Sequence, residues 1–230
     1  MLVSGIIPAL NEAENIQQCI AAAQREYSSD ELETIVVDGG SSDGTRELVP
    51  PGVTVLTAPR GRAGQMNLGA RVSSGEILVF CHADSQLPAG WREAVIEALS
   101  GAGVSGGAFE TLVLPEKGLL RLGNRMRTPA HWTSVYGDQV QFMTRGMFRQ
   151  VGGFPEIPLM EDVEMARTLH KAGKLVRIPL RVITSSRRFE ERGVLRQTLQ
   201  NLWNKLSYLY LGATPQDIAR RYVSSRERAE

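Results

Sequence analysis

Cysteine is scarce in this chain: only two of its 230 residues are cysteines, too few for a scaffold held together by disulfide bonds. No stretch approaches the roughly 18 uninterrupted apolar residues of a membrane-spanning helix. The N-terminus lacks the basic segment that opens a signal peptide. The chain also lacks an excess of basic residues, since its net charge is +1. A nucleic-acid-binding domain usually carries a strongly basic face. These absences predict a cytoplasmic protein with no nucleic-acid partner.

The remaining composition is that of a globular protein, with 42% hydrophobic and 22% charged residues. The charge is unevenly distributed, since residues 1–115 carry a net charge of −8 and residues 116–230 a net charge of +9. Arginine supplies 22 of the 26 basic residues, and its planar guanidinium suits phosphate and carboxylate groups. A bias in the composition of the genome is the alternative explanation.

Short apolar runs alternate with helical patterns in the first hundred residues. Two of the runs, 34–38 and 77–81, are apolar almost throughout, which is typical of strands buried on both faces. The alternation predicts an α/β fold with a mostly parallel central sheet flanked by helices. We expect a first helix from about Glu12 with Asn11 near its N-cap, and a short helix after the glycine-rich turn that follows residue 38.

The pattern changes after residue 100. We expect a long strand, a basic helix over 117–127, an irregular loop over 128–142, a helix capped by Thr144 and an amphipathic helix over 160–172. One or two strands over 175–185 and helices over 193–211 and 215–228 complete the chain. The predicted organisation is one large domain over 1–190, followed by C-terminal amphipathic helices over 191–230 that pack on it or beside it.

Three polar clusters follow predicted strands, at residues 8–12, 38–45 and 82–85. Ligands of parallel sheets bind beyond the carboxyl ends of the strands, so we expect these clusters to converge on one crevice. The carboxylates of Asp38 and Asp43 would suit ribose hydroxyls or a base N–H, although each cluster could also be a helix cap or a tight turn.

Two further patterns suggest chemistry. His82 and Asp84 end a buried strand, where a carboxylate is costly unless it is paired or bound to a metal such as Mg²⁺ or Mn²⁺. Glu161 and Asp162 open a helix, where the helix dipole favours acids, and where a carboxylate could also act as a general base. A dinucleotide-binding oxidoreductase is disfavoured because no G-x-G-x-x-G follows the first strand.

Taken in order, five segments resemble the motifs of the family-2 glycosyltransferases, which have the GT-A fold. They are IPALNE, VDGGSSDGT, RAGQMNLGA, FCHADS and MEDVEMARTLHKAG, and the resemblance runs from residue 3 to about residue 190. It extends to a compact bacterial subgroup labelled as arsenosugar-biosynthesis-like or carotenoid-glycoside-like. The resemblance implies an inverting, metal-assisted transfer of a sugar from a nucleotide-diphosphate donor, expected to be a UDP-sugar, to an acceptor hydroxyl.

The resemblance also implies roles for particular residues. Asp84, with His82, would hold the divalent metal, Mn²⁺ or Mg²⁺, and Asp162 would be the catalytic base, with Glu161 as the next candidate. The residues expected at the nucleotide are Pro8, Ala9, Asn11, Glu12, Asp38, Gly40, Ser41, Asp43, Arg62, Gly64 and Asn67. The loop over 128–142 is expected to form the acceptor pocket, through Trp132, Tyr136, Asp138 and Gln139. Packing in the core is the alternative for Trp132.

The chain departs from the family pattern in three places. His82 replaces the first Asp of the metal motif, and Gly39 replaces the second Asp of the nucleotide loop. The later Q-x-x-R-W motif is missing, and residues 185–188 (SSRR) stand in its place, where an arginine could take over a phosphate contact. The first two departures support an alternative function, a sugar-nucleotide-binding pseudoenzyme or regulatory module without transfer activity.

The C-terminal segment repeats leucine at helical spacing. The repeat consists of Leu195, Leu199, Leu202, Leu206 and Leu209, beside Trp203, Tyr208 and Tyr210. The pattern favours a helix that closes the core. The second interpretation is a peripheral contact with the inner face of an anionic membrane, because residues 177–230 carry a net charge of +6. The acceptor would then be lipid-linked rather than a free small molecule.

Overall fold

The computed structural model describes residues 1–115, 124, 131–187 and 193–221. Eight strands form one sheet in the order β3-β2-β1-β4-β7-β6-β8-β5. The strands are β1 Val3–Ala9, β2 Leu32–Asp38, β3 Thr54–Thr57, β4 Ile77–Phe80, β5 Ser85–Gln86, β6 Val104–Leu114, β7 Gln141–Thr144 and β8 Lys174–Ser185. The helices are α1 Ile16–Gln24, α2 Arg62–Val72, α3 Trp91–Leu99, α4 Arg145–Val151, α5 Glu161–Ala172, α6 Val194–Tyr210 and α7 Pro215–Arg221.

The first four strands are all parallel to one another, and helices cover both faces of the sheet. Side chains of β1, β2 and β4 are almost completely buried because helices lie above and below them. On one side α1 and α3 contribute Ile16 and Trp91 to the core, and on the other α2 and α5 contribute Met66 and Ala166. The predicted α/β fold is confirmed.

Strand β7 runs in the opposite direction to the first four strands, and this positions the site. It pairs antiparallel with β4, so that Gln141 lies opposite Phe80. The start of β7 is therefore next to the carboxyl end of β4, and the residues just before Gln141 reach the edge where β1, β2 and β4 end. Strand β8 runs parallel to β6, and its own end pairs with β5 through Thr184 and Ser85.

Several predicted elements occur as expected. The Thr144 hydroxyl caps α4 by accepting the N–H of Met147 at 3.1 Å, and Gly152 ends that helix in the left-handed conformation. The helices predicted over 160–172 and 193–211 correspond to α5 and α6. The basic helix predicted over 117–127 and the end of the last helix, 222–228, lie outside the described residues apart from Asn124.

Two local predictions are wrong. Helix α1 begins at Ile16 rather than near Glu12, because Asn11 adopts a left-handed conformation with φ of 53° and bonds to the neighbouring loop instead of capping a helix. The turn after β2 forms no helix over 39–53. Its Asp and Ser/Thr side chains bond to nearby backbone N–H groups, which competes with helix formation.

The prediction that the leucine repeat of α6 closes the core is also wrong. Leu195 is 60% exposed and Trp203 is 54% exposed, and Leu199, Leu202, Leu206 and Tyr210 are exposed as well. The opposite, polar face of the helix is the buried one, because Asn204 is 1% exposed. The division into 1–190 and 191–230 stays a prediction.

Candidate functional site

A cavity of about 480 Å³ opens at the carboxyl edge of the parallel strands. It is bounded by the ends of β4 and β8, by the turn before β7, by the start of α5 and by α6. Of the predicted site residues, seven line it: Arg62, His82, Asp84, Tyr136, Asp138, Gln139 and Asp162. The remaining lining residues among those described are Val113, Gly137, Leu159, Met160, Thr184, Ser185, Gln197, Asn201, Leu202, Asn204 and Lys205.

The predicted nucleotide segments lie beside this cavity and are joined to each other. The backbone N–H of Asn11 donates to the Ser41 hydroxyl at 2.9 Å, and the Asn11 side-chain oxygen accepts the N–H of Ser42 at 2.9 Å. The N–H of Ala13 donates to the Asp43 carboxylate at 3.0 Å. These bonds hold the segments after β1 and β2 in one fixed arrangement.

The two acids of the nucleotide loop differ in their surroundings. Asp38 is fully buried, and its carboxylate accepts the N–H groups of Gly40 and Ser41 and the Ser41 hydroxyl. Asp43 is exposed; partial desolvation opposes ionisation, but hydrogen bonds from Thr45 and Ala13 outweigh it and lower the Asp43 pKa. Asp38 therefore shapes the loop from inside, while Asp43 lies on its surface.

A packing contact explains why residue 39 is glycine. The side-chain N–H₂ of Gln65 donates to the carbonyls of Ala9 and Val37, at 2.9 and 2.8 Å. A Cβ at residue 39 would lie 2.9 Å from that nitrogen, closer than side-chain carbons ordinarily approach. Gly39 therefore leaves room for a buried glutamine that ties the ends of β1 and β2 together, and an Asp would displace it.

Asn67 does not line the cavity. Its amide donates to the Phe154 carbonyl at 2.8 Å and accepts the Phe154 N–H at 2.9 Å. The structure therefore places Asn67 against the loop that leads to α5. Gly64 and Trp132 are also absent from the described cavity walls; Trp132 packs against the core beneath α5, with the Arg167 guanidinium 5.5 Å from its ring centroid.

Asp162 and His82 meet at Gly137. The N–H of Gly137 donates to Oδ2 of Asp162 at 2.6 Å, and Oδ1 of Asp162 accepts the N–H of Val163 at 2.8 Å. A Cβ at residue 137 would lie 2.6 Å from Nε2 of His82 and 3.2 Å from Oδ2 of Asp162. Glycine leaves room for both side chains at this point, so the turn before β7 lies against the imidazole and the carboxylate in the cavity wall.

Glu161 points into the protein instead of the cavity. It is 1% exposed, and its Oε1 lies 2.9 Å from Nε of Arg62, which does line the cavity. Burial raises the pKa of Glu161 to about 7, and the Asp162 charge adds to the rise while Arg62 opposes it. The buried Glu161 carboxylate therefore holds the half-buried Arg62 guanidinium at the cavity wall.

We expect Glu161→Gln to change how stability depends on pH. A carboxyl whose pKa is higher in the folded protein contributes stability at low pH and loses it as pH rises towards that value. From about pH 5 to pH 8, the wild-type protein should lose on the order of 2 kcal/mol of unfolding free energy relative to the variant. Urea unfolding at both pH values measures this, with Glu156→Gln in the exposed loop before α5 as control. Parallel pH curves for wild type and variant would contradict the assignment.

Asp84 lies among charged groups. Burial raises the pKa of Glu12, and the Asp84 charge adds a smaller contribution, while hydrogen bonds from Asn15 and Arg187 oppose the rise. Nη2 of Arg187 lies 3.3 Å from Oε1 of Glu12, and the phosphate contact expected of an arginine in residues 185–188 stays a prediction. No group of three or more His, Cys, Asp or Glu that could hold a metal ion is found in residues 1–115, 124, 131–187 and 193–221.

The turn that carries the predicted acceptor residues is held in place by Arg177 of β8. The Arg177 guanidinium donates to Oε1 of Gln139 at 3.1 Å and to the Ser134 carbonyl at 2.9 Å. Above it, the Lys205 ammonium lies 5.3 Å from the ring centroid of Tyr136. Tyr136, Asp138 and Gln139 thus form the wall between the sheet and α6.

Sequence reasoning missed the contribution of α6. Gln197 and Asn204 are each 1% exposed and line the cavity. Neither the oxygen nor the nitrogen of the Asn204 side-chain amide has a hydrogen-bond partner within the described structure, and Oε1 of Gln197 has none either. The signal was present, because Gln197, Asn201 and Asn204 are spaced i, i+4, i+7 opposite the leucines.

Residues 4–112 match a family model described as Glycosyl transferase family 2. This part of the chain belongs to glycosyl transferase family 2. The match includes the three strand-end clusters, whereas Asp162 and α6 lie beyond it. Among curated proteins, glycosyltransferase AglE of Haloferax volcanii is 38% identical over 111 residues, which are 44% of this chain and 36% of that protein. The chain spans between 23% and 58% of the length of the curated relatives that it matches.

Solved structures resemble the chain over nearly its whole length. S. aureus TarS 1–349 in complex with UDP superposes with a TM-score of 0.66 over 99% of this chain and 77% of that chain, at 13% identity. Mannosyltransferase PcManGT from Pyrobaculum calidifontis, in complex with GDP-Man and Mn²⁺, superposes with a TM-score of 0.63 over the same shares, at 19% identity. At these identities the likeness concerns the fold, and it confirms the predicted GT-A fold.

Proposed function

We propose that the protein transfers a sugar from a nucleotide-diphosphate donor to an acceptor hydroxyl, with inversion at the anomeric carbon. The observation that carries the proposal is the convergence of Asp84, His82 and Asp162 on one cavity at the carboxyl edge of the parallel strands. The match of residues 4–112 to glycosyl transferase family 2 supports it. The cytoplasmic setting expected from the low cysteine content stays a prediction.

A UDP-sugar is the donor that we propose. TarS binds UDP within the same fold, and PcManGT binds GDP-Man. In this chain, the loop between β2 and β3 offers the exposed Asp43 carboxylate as an acceptor for hydrogen bonds. Arg62 at the cavity wall and Arg187 beside Glu12 are the guanidinium groups suited to the diphosphate.

A divalent cation fits the residues present. Asp84 supplies a hard carboxylate oxygen and His82 an imidazole in the same cavity, and Mn²⁺ accepts both kinds of ligand. Two protein ligands suffice where the substrate's phosphates supply others, as is usual for metal ions at phosphate sites. When bound, the metal would neutralise charge on the departing nucleoside diphosphate. PcManGT, which shares the fold, is described with Mn²⁺.

Asp162 is the group that we propose to take the proton of the acceptor hydroxyl. The N–H groups of Gly137 and Val163 fix the orientation of its carboxylate. Each carboxylate oxygen has a further lone-pair direction available for a hydroxyl. Glu161 is buried behind Asp162 and serves as the partner of Arg62, so Asp162 is the better placed of the two acids.

A donor screen by thermal unfolding tests the proposal. With Mn²⁺ present, a UDP-sugar at about 100 times its Kd should raise the Tm by about 5–10 °C for a chain of this size. GDP- and dTDP-sugars are the comparison. No stabilisation by any of these donors would contradict the function, and binding without hydrolysis or transfer over a broad acceptor panel would favour the pseudoenzyme.

A further inference from the structure

Helix α6 is amphipathic, but its apolar face is exposed and its polar face is buried, the reverse of a helix that packs on a core. Its apolar side chains form an exposed stripe about 100° wide at the α-helical period. We call the leucine stripe the set Leu195, Leu199, Leu202, Trp203, Leu206 and Tyr210, all of them exposed. The buried face of the same helix is polar. A contiguous set of six large, exposed apolar side chains on one helix indicates an interaction site.

The charge on and around the stripe indicates what covers it. Helix α6 has no acidic residue in 17 positions. Its Arg196 is next to Leu195 of the stripe, whereas its other basic residue, Lys205, lies at the cavity wall. The adjacent α7 contributes Arg220 and Arg221 against a single acid, Asp217. Trp203 and Tyr210 lie within the stripe, and these two residue types favour the headgroup level of a bilayer. Leucines flanked by basic and aromatic residues are typical of helices that lie in an anionic membrane surface.

The inner face of α6 carries an independent observation. Asn204 is almost completely buried and lines the cavity, yet its amide oxygen and nitrogen both lack hydrogen-bond partners, and so does Oε1 of Gln197. Such groups are costly to bury unpaired, and water or a ligand in the cavity would satisfy them. An amide offers a donor and an acceptor side by side, which suits hydroxyl groups, since each hydroxyl both donates and accepts.

We propose that α6 lies on an anionic bilayer through the leucine stripe and that Asn204 and Gln197 bind the hydroxylated headgroup of a lipid acceptor. A single helix would then bring the membrane surface and the acceptor to the cavity that holds Asp162. The assignment of the lipid as acceptor rests on the proposed function, while the membrane contact does not. No helix of the described chain is long and apolar enough to cross a bilayer.

Vesicle sedimentation tests the membrane contact. We expect the protein to bind phosphatidylcholine vesicles that contain phosphatidylglycerol more tightly than pure phosphatidylcholine vesicles at low salt. The double variant Leu199→Gln/Leu206→Gln should bind at least about tenfold more weakly, because two leucines lose apolar burial. Val72→Gln is the matched control, since Val72 is an exposed apolar residue on α2, away from α6.

Three results would overturn the membrane contact. They are no binding to either vesicle, equal binding by the double variant, or self-association of the wild-type chain that the double variant abolishes without any vesicle binding. The last result would assign the stripe to a second copy of the chain. Because vesicle binding needs neither donor nor turnover, failure of the transferase proposal would leave this measurement interpretable.

Asn204→Leu tests the inner face. Replacing an unpaired buried amide with an apolar side chain of similar size should raise the Tm and leave vesicle binding unchanged. A lower Tm would show that the amide holds the fold together instead of awaiting a ligand. Loss of vesicle binding in this variant would contradict the separation of the two faces.

Discussion

Asp162→Asn should lower the turnover number by about 10²–10⁴-fold and leave the affinity for the donor near that of wild type. The substitution keeps the size of the side chain and removes the basic oxygen. It acts on the acceptor side, because the Asp162 carboxylate lies at Gly137 and the start of α5. Initial rates under saturating donor, together with calorimetry of donor binding, measure the two effects separately.

The Asp162 variant needs a control for local structure, because both carboxylate oxygens accept backbone N–H groups and an amide can accept only one of them. Glu164→Gln, on the same first turn of α5, tests whether loss of a nearby charge is enough to lower the rate. Unchanged donor affinity shows that the cavity is intact. Near-normal turnover in Asp162→Asn would remove it as the base, and Glu161, the next candidate from the sequence, is buried against Arg62 and does not line the cavity.

The parallel strands were predicted well because burial on both faces requires continuous apolar runs, which are visible in the sequence. Strands β2 and β4 are buried on both faces, so every position favours apolar or β-branched residues. The loop after β2 was predicted less well. Its Asp38 and Asp43 were recognised as polar groups at a strand end, but their use of local N–H groups, which removes the expected helix, depends on contacts with residues 11–13.

The orientation of α6 could not be predicted from its period. Helical spacing shows which residues share a face, but it does not show which face packs inward. In α6 the inward face is the one that carries Gln197 and Asn204, and these two amides line the same cavity as Asp138 and Asp162. The usual assumption that leucines are buried therefore gave the wrong face.

The contacts that position the site residues are also tertiary. Gly137 is an ordinary glycine in the sequence, yet its lack of a side chain allows His82 and Asp162 to meet. Gly39 is a departure from the family motif in the sequence, and in the structure it makes room for Gln65. Spacing along one chain contains no information about such pairs, which are 25 or more residues apart.

Asp84→Ala should weaken metal-dependent donor binding and lower turnover as well. A metal ion at this position serves the bound donor and also the transition state, in which the charge on the leaving diphosphate grows. Loss of an outer-shell partner typically costs about 10–100-fold in metal affinity, and we expect the loss of a direct carboxylate ligand to reach or exceed the upper end of that range. Calorimetry with a UDP-sugar in the presence of Mn²⁺ measures the effect on binding.

The matched measurement for Asp84→Ala is the same titration in the presence of a chelator. Without metal, wild type and variant should bind the donor equally weakly, because Asp84 is expected to act through the ion and not on the sugar nucleotide itself. A difference that persists in chelator would assign Asp84 to a direct contact or to the local fold around Ser85, whose hydroxyl lies 3.4 Å from its carboxylate. Undiminished metal-dependent binding in the variant would remove the metal site from this cavity and leave Arg62 and Arg187 as the groups that neutralise the diphosphate.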